Sequence, residues 1–429
     1  MHPNCMRRIV VTLMMLPKLN GSRQILYDIV FKRTLCNVRQ KAAKILGIET
    51  SCDDTGFAIV DTNGQILGEA LNSQLLFHLA IGGINPPNAQ FLHAKNIQET
   101  YEQCLVSANM TLDDVDAIAV TLEPGLPLSL AVGRDFARKL SLSANKPVIP
   151  IHHMQAHALV ARIDQKIDFP FLTLLISGGH CVLALAETMD QFKLLGRNTD
   201  DPVGEAFDKT ARRLSLKNMP EYSQIGGGPA LELAARKSDN PYQFEFPVAL
   251  AHYRDCNFSF SGLKTKAVRH IEQQERLYGI QEGTIIPNYA NLCAGFLMAV
   301  TKHLCLRLQR AMWFIERREL IPEDKRTLVV SGGVAANNFI ANALTKICSE
   351  NGYRLIRPPP KLCTDNGVMI AWNGVEKYVV NKGVITDENE IRKLDVTHRS
   401  PIGEDWCKVV ANDCIRTRTI KLEFYDLLS

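Results

Sequence analysis

Three of the chain's eleven histidines fall within six positions, in the stretch Ile151-His152-His153-Met154-Gln155-Ala156-His157. On a helix, His153 and His157 stand four residues apart and project from one face, so their imidazoles can share one metal ion. Two ligands do not complete a catalytic metal site, which takes a third protein ligand and keeps a position open for water or substrate. Asp365 would supply that third ligand, and two imidazoles with one carboxylate suit zinc or iron. Both features have plainer readings. The histidines could pack and hydrogen-bond locally at a strand end, and Asp365 could serve as the cap of the helix that follows it.

Around this cluster the chain alternates strands and helices, which predicts an α/β architecture with a mixed or parallel sheet. Residues 45–50 read as a strand, Ser51-Cys52-Asp53-Asp54-Thr55-Gly56 as a polar turn and 57–60 as the returning strand, with Asn63-Gly64 as the next hairpin turn. Residues 169–176 and 181–185 repeat the device around Ser177-Gly178-Gly179-His180, where glycines let backbone N–H groups approach an anion. A third turn, Ser331-Gly332-Gly333-Val334, follows the strand 327–330. Helices are predicted at 93–108, 128–142, 230–236, 289–316 and 335–350, and Asp200 to Lys209 opens another. The stretches 226–229 and 257–264 read as loops. Two related halves, each with a strand-turn-strand phosphate loop, imply a duplicated fold that encloses a nucleotide between lobes.

Composition narrows the class. At 429 residues with 46% hydrophobic and 22% charged residues, the chain is an ordinary globular sequence with room for two or three domains. Its longest apolar runs are strand-length, so no membrane span is expected. The twelve cysteines are scattered without a Cys-x-x-Cys pair, which argues against a zinc ribbon or disulfide framework. Residues 1–44 carry nine Lys or Arg against the single acid Asp28, in the manner of a mitochondrial transit peptide. The remainder holds 40 basic and 44 acidic residues, so global charge makes no case for nucleic-acid binding.

Seven motifs occur in order: Glu49-Thr50-Ser51-Cys52-Asp53-Asp54-Thr55, His152-His153-Met154-Gln155-Ala156-His157, Ser177-Gly178-Gly179-His180, Gly204-Glu205-Ala206-Phe207-Asp208-Lys209, Phe258-Ser259-Phe260-Ser261-Gly262-Leu263-Lys264, Ser331-Gly332-Gly333-Val334-Ala335-Ala336-Asn337 and Thr364-Asp365-Asn366-Gly367. Together they resemble the tRNA N6-adenosine threonylcarbamoyltransferase family, and with the basic leader they are most similar to its mitochondrial branch. The resemblance implies an actin-like, Hsp70-like fold of two related lobes around a nucleotide cleft. It divides the chain into a leader at 1–44, an N-terminal lobe at 45–150 completed by a helix near 366–380, a C-terminal lobe at 151–365 and an extension at 401–429. The implied reaction moves threonylcarbamoyl from L-threonylcarbamoyladenylate to N6 of the tRNA adenosine beside the anticodon, releasing AMP. A divalent metal, zinc or iron, would be held by His153, His157 and Asp365. Leu175, Ile176, Ser177, Gly178, Gly179, Asp208, Gly227, Gly228 and Asn337 would hold the adenylate, and Asp53 or Asp54 would accept the proton of the attacking amine. The resemblance admits a homodimer and implies no membrane.

The chain departs from the family's pattern at Gln155, where a Glu is usual, at Asp54, where many members have Glu, and at Gln90-Phe91-Leu92-His93, where an Arg-containing segment is usual. The rival readings are an actin-like kinase or ATPase, a metallopeptidase and a silent scaffold of a modification complex. The first would bind magnesium through carboxylates and phosphates, and needs no histidine pair. The second lacks the His-Glu-x-x-His signature, because Gln155 is no general base. The third requires that His153→Ala leave function intact.

Overall fold

The computed structural model describes residues 42–428; the basic leader expected at 1–44 lies almost wholly outside them. β1 (Lys44–Glu49) pairs antiparallel with β2 (Asp54–Asp61), and β2 with β3 (Ile66–Ser73). After α1 (Leu75–Ile81) and α2 (Pro86–Ala108), β4 (Ala117–Glu123) returns parallel to β1. Then α3 (Pro127–Ala144) leads to β5 (Val148–His152), parallel to β4. The sheet order is β3-β2-β1-β4-β5. Its central strands read as unbroken apolar runs because helices cover both faces. Leu46, Ile48, Phe57 and Ile59 meet Ile97, Tyr101, Phe136 and Leu140 of α2 and α3. Ile45, Ala58 and Val60 meet α4 (His153–Leu159) and a helix from near the C-terminus.

The second sheet repeats the first strand for strand. β6 (Phe171–Ile176), β7 (Cys181–Ala186) and β8 (Phe192–Arg197) form an antiparallel meander, and β9 (Thr327–Ser331) and β10 (Arg354–Ile356) add in parallel beside β6. The order β8-β7-β6-β9-β10 matches β3-β2-β1-β4-β5, with the same pattern of parallel and antiparallel neighbours. A duplicated meander-plus-crossover lobe is the actin-like architecture. Between β8 and β9 lie α5 (Val203–Arg213), α6 (Gly227–Ala235), α7 (Ser261–Tyr278) and α8 (Tyr289–Arg317), whose apolar faces build the larger core with α9 (Asn338–Glu350). The chain then passes α10 (Pro360–Cys363), α11 (Gly367–Val379) and α12 (Glu388–Lys393). β11 (Glu404–Asp405) pairs with β8, and α13 (Cys407–Asn412) follows it. Val410, Ile415, Leu422 and Phe424 of this last stretch are buried in the second lobe's core.

Several elements differ from the sequence reading for local reasons. α2 begins at Pro86 rather than 93, because Asn85 caps it by accepting from the Asn88 amide and prolines fill first-turn positions that need no donor. Gly227, Gly228 and Pro229 are the first turn of α6 and not a loop. Ser261 to Lys264 start α7, whose N-terminus is bound by Asp200: its Oδ1 accepts from the Phe260 amide at 2.9 Å and its Oδ2 from the Ser261 hydroxyl at 2.6 Å. Among the described residues no helix is long and apolar enough to cross a membrane, and all ten cysteines are free thiols.

α11 packs on the first sheet with backbone against backbone. A Cβ on Gly47 would stand 2.4 Å from the Ala371 nitrogen and the Gly367 oxygen, and one on Gly367 would stand 2.3 Å from the Phe57 carbonyl carbon. Gly47→Ala is therefore expected to wedge α11 off β1 at a cost of about 1–3 kcal/mol. A lowered denaturation midpoint with unchanged denaturant dependence would show it. The same wedge shifts Asp365, which lies two residues before α11.

Candidate metal centre

β5 ends at His152 and α4 begins at His153, so the strand delivers the histidine pair directly onto the first turns of a wholly buried helix. His157 Nε2 lies 3.0 Å and His153 Nε2 3.6 Å from the same oxygen, Asp365 Oδ1. The two rings stand edge to face, 89° apart, with centroids separated by 4.6 Å. One ligand atom from each of the three residues falls within 4.8 Å of the others. Asp365 does not cap α11. Asn366 does, accepting from the Met369 amide at 2.9 Å, which leaves the Asp365 carboxylate to the histidines.

Behind the pair stands Glu49, the last residue of β1 and fully buried. Its Oε2 lies 3.3 Å from His153 Nδ1 and accepts from the Thr121 hydroxyl at 2.6 Å; its Oε1 accepts from the Ser51 amide at 2.6 Å. The Ser51 hydroxyl also reaches His153 Nδ1, at 3.1 Å. A carboxylate on Nδ1 keeps the proton there and turns the Nε2 lone pair toward Asp365, the usual support of a metal-binding imidazole. Burial disfavours the His153 imidazolium, but Asp365 and Glu49 outweigh it and raise the group to about 9. Burial likewise opposes ionisation of Asp365, and the two histidines override it to hold its carboxyl well below the usual range. So strong a demand for positive charge between these groups is what a bound cation would satisfy.

The acids of the β1–β2 turn reach the same place. Burial, then the charges of Asp365 and Asp53, push Asp54 up to about 7, and burial and Asp365 raise Asp53. Asp54 Oδ1 is buried with no hydrogen-bond partner among the described residues, a second sign that the donor set fits a cation or a substrate proton. His93, fully buried on α2, holds this turn at both ends, with Nδ1 2.7 Å from Thr55 Oγ1 and Nε2 3.0 Å from the Cys52 carbonyl oxygen. On the other side, burial and then the neighbouring His153 depress His180 to about 4; its backbone closes the Ser177 turn, the carbonyl accepting from the Ser177 amide at 2.8 Å.

The remaining expected residues divide. Ser177 Oγ accepts from the amides of Gly179 and His180 at 3.3 and 3.1 Å, while Gly178 and Gly179 face open space. The third turn abuts it: Gly332, at φ +96°, has its Cα face 2.4 Å from the Ile176 oxygen by the position a Cβ would take, so only glycine fits. Leu175 and Ile176 are core residues of β6, leaving only their backbone for a ligand. Asp208 forms a second group, its carboxylate accepting from the Gly227 and Gly228 amides at the start of α6. Asn337 caps α9 by accepting from the Ile340 amide at 2.9 Å. Glu49, Thr121, His93 and His180 carry no role in the sequence reading. Glu49 and His180 sit inside quoted motifs, but Thr121 and His93 are joined to the site only by the fold.

The family model for tRNA N6-adenosine threonylcarbamoyltransferase matches residues 65–372. A protein of Drosophila melanogaster described as the probable mitochondrial enzyme of that name is 44% identical over 390 residues, 90% of this chain and 95% of the relative. The human mitochondrial protein of the same name is 45% identical and covers 88% of this chain and 91% of its own length. A Rhizobium etli tRNA N6-adenosine threonylcarbamoyltransferase is 42% identical over 83% of this chain and 93% of its own length.

Proposed function

This chain belongs to the tRNA N6-adenosine threonylcarbamoyltransferase family, and from that premise we propose how its residues carry out the reaction. It is a mitochondrial transferase that places the threonylcarbamoyl group on N6 of adenosine in tRNA. In our reading the donor is L-threonylcarbamoyladenylate, and His153, His157 and Asp365 hold one divalent ion, zinc or iron. The observation that carries this reading is the convergence of both Nε2 atoms on a single Asp365 oxygen. Bound there, the ion supplies positive charge that polarises the carbamoyl and phosphate oxygens.

The chain's own groups do the rest. Glu49 and Ser51 fix the His153 ring, and the open Gly178-Gly179 turn offers backbone amides to the adenylate phosphate. The N6 amine attacks the carbamoyl carbon, the bond from that carbon to the phosphate oxygen breaks, AMP leaves, and Asp53 or Asp54 takes the amine proton. Removing the base is expected to lower kcat by about 10²–10⁴-fold. Full transfer by both Asp53→Asn and Asp54→Asn would remove that role from the turn. The reading as a whole is tested by supplying the pure metal-loaded protein with threonylcarbamoyladenylate and unmodified tRNA, then digesting the RNA. Absence of the modified nucleoside overturns it.

A further inference from the structure

One surface segment that the functional residues leave unused is clamped from beneath by buried side chains. Residues 249–255 run as an irregular loop, yet two buried arginines of α8 are given over to it. Arg307 donates to the carbonyls of Tyr253 at 3.1 Å, Asp255 at 2.9 Å and Leu250 at 2.7 Å, and Arg310 donates to Asp255 as well. What the clamp presents to solvent is His252 and Tyr253, the latter 61% exposed, with Arg254 half-buried beside them. An exposed aromatic ring on a clamped backbone offers a flat face on which a base can stack.

The stretch of sequence that carries it is basic against an acidic background, since residues 45–429 hold 40 basic and 44 acidic side chains. From 252 to 269 the chain carries Arg254, Lys264, Lys266 and Arg269 and only one acid, Asp255. Asp255 is turned inward, 3.6 Å from Arg307 and accepting from the Asn257 amide. Lys264 is paired with Asp201, whereas Arg254, Lys266 and Arg269 make no ion pair among the described residues. The Arg254 charge also lies near those of Arg307 and Arg310.

The strand-like segment that follows the loop is tied, through β8, to the residue after His180. The Phe258 amide donates to the Arg197 carbonyl, Asn198 Oδ1 accepts from the Cys181 amide, and Cys181 follows His180. His303, one turn before Arg307 on α8, accepts from the Ser259 amide at 3.1 Å and packs between Phe258 and Phe260.

Resting on the reading that tRNA is the substrate, we infer that the His252-Tyr253-Arg254 tip receives the tRNA arm that carries the target adenosine. Tyr253 stacks on an unpaired base, and Arg254 contacts the phosphate backbone. The test is transfer kinetics with unmodified tRNA as the varied substrate, on full-length metal-loaded protein. Tyr253→Ala should raise KM for tRNA about 10-fold with kcat and metal content unchanged, and Tyr253→Phe should restore it. Arg254→Gln should raise KM and reduce the slope of log affinity against log salt by about one. The exposed position of Tyr253 predicts wild-type unfolding midpoints for both of its variants, and the midpoint of Arg254→Gln is measured beside them. Wild-type KM in Tyr253→Ala and Arg254→Gln, or a loss confined to kcat, overturns the surface. Failure of the unsubstituted protein to modify tRNA overturns the function itself, and the two failures are distinct.

Discussion

His157→Ala is expected to release the metal and to lower threonylcarbamoyl transfer by more than about 100-fold, the upper end of what loss of a supporting contact costs a metal site. It should do so with little damage to the fold. His157 contacts Asp365 through Nε2, and its Nδ1 has no partner among the described residues, so alanine removes one partner of a carboxylate that is 22% exposed and still faces His153. His153→Ala should abolish activity equally but carry a further stability loss. It leaves Glu49, fully buried, facing a hole instead of the Nδ1–H of His153, and a buried charged group that loses its partner costs more than the about 1–3 kcal/mol of a neutral one. Metal content by elemental analysis, transfer rate and denaturation midpoint together separate ligand from support. Metal content and transfer retained in His157→Ala would sink the three-ligand site. An actin-like ATPase that binds magnesium through carboxylates and phosphates would keep its turnover in both variants.

The sequence made some of this site legible and hid the rest for physical reasons. The histidine pair was readable because i and i+4 share a helix face whatever the tertiary structure. Asp365, 208 positions beyond His157, is close to it only because α11 lies against β1 and β2 through the Gly47 and Gly367 contacts. The duplicated lobe was visible in the paired strand-turn-strand devices, but β8 was missed, since Phe192–Arg197 alternates too weakly to stand out. The first turn of α7, Ser261 to Lys264, reads as a loop in the sequence because its polar, aromatic start hides that Asp200, some 60 residues earlier, satisfies the helix N-terminus. His93 and Thr121 carry no local signal at all. Each is a buried polar side chain whose partner is set by a neighbouring element.

Glu49→Gln is the second decisive substitution, because it keeps the volume of the side chain and changes only which atoms donate. Glu49 Oε1 accepts from the Ser51 amide, and Oε2 accepts from the Thr121 hydroxyl while facing His153 Nδ1. A glutamine has one acceptor for these two places. Turned with its oxygen toward Ser51, it points an NH₂ group at His153 Nδ1, which must then accept, driving the ring proton to Nε2 and taking that nitrogen out of the ligand set. Turned the other way, it sets two donors against each other at Ser51. Either arrangement should weaken metal binding about 10–100-fold. Because the three ligands remain, excess metal should recover most of the transfer rate, which it cannot do for His157→Ala. Thr121→Val removes one hydroxyl and leaves the Glu49–His153 contact, so its effect should be much smaller. If metal affinity in Glu49→Gln equals that of the unsubstituted chain, the carboxylate serves the fold and not the His153 tautomer.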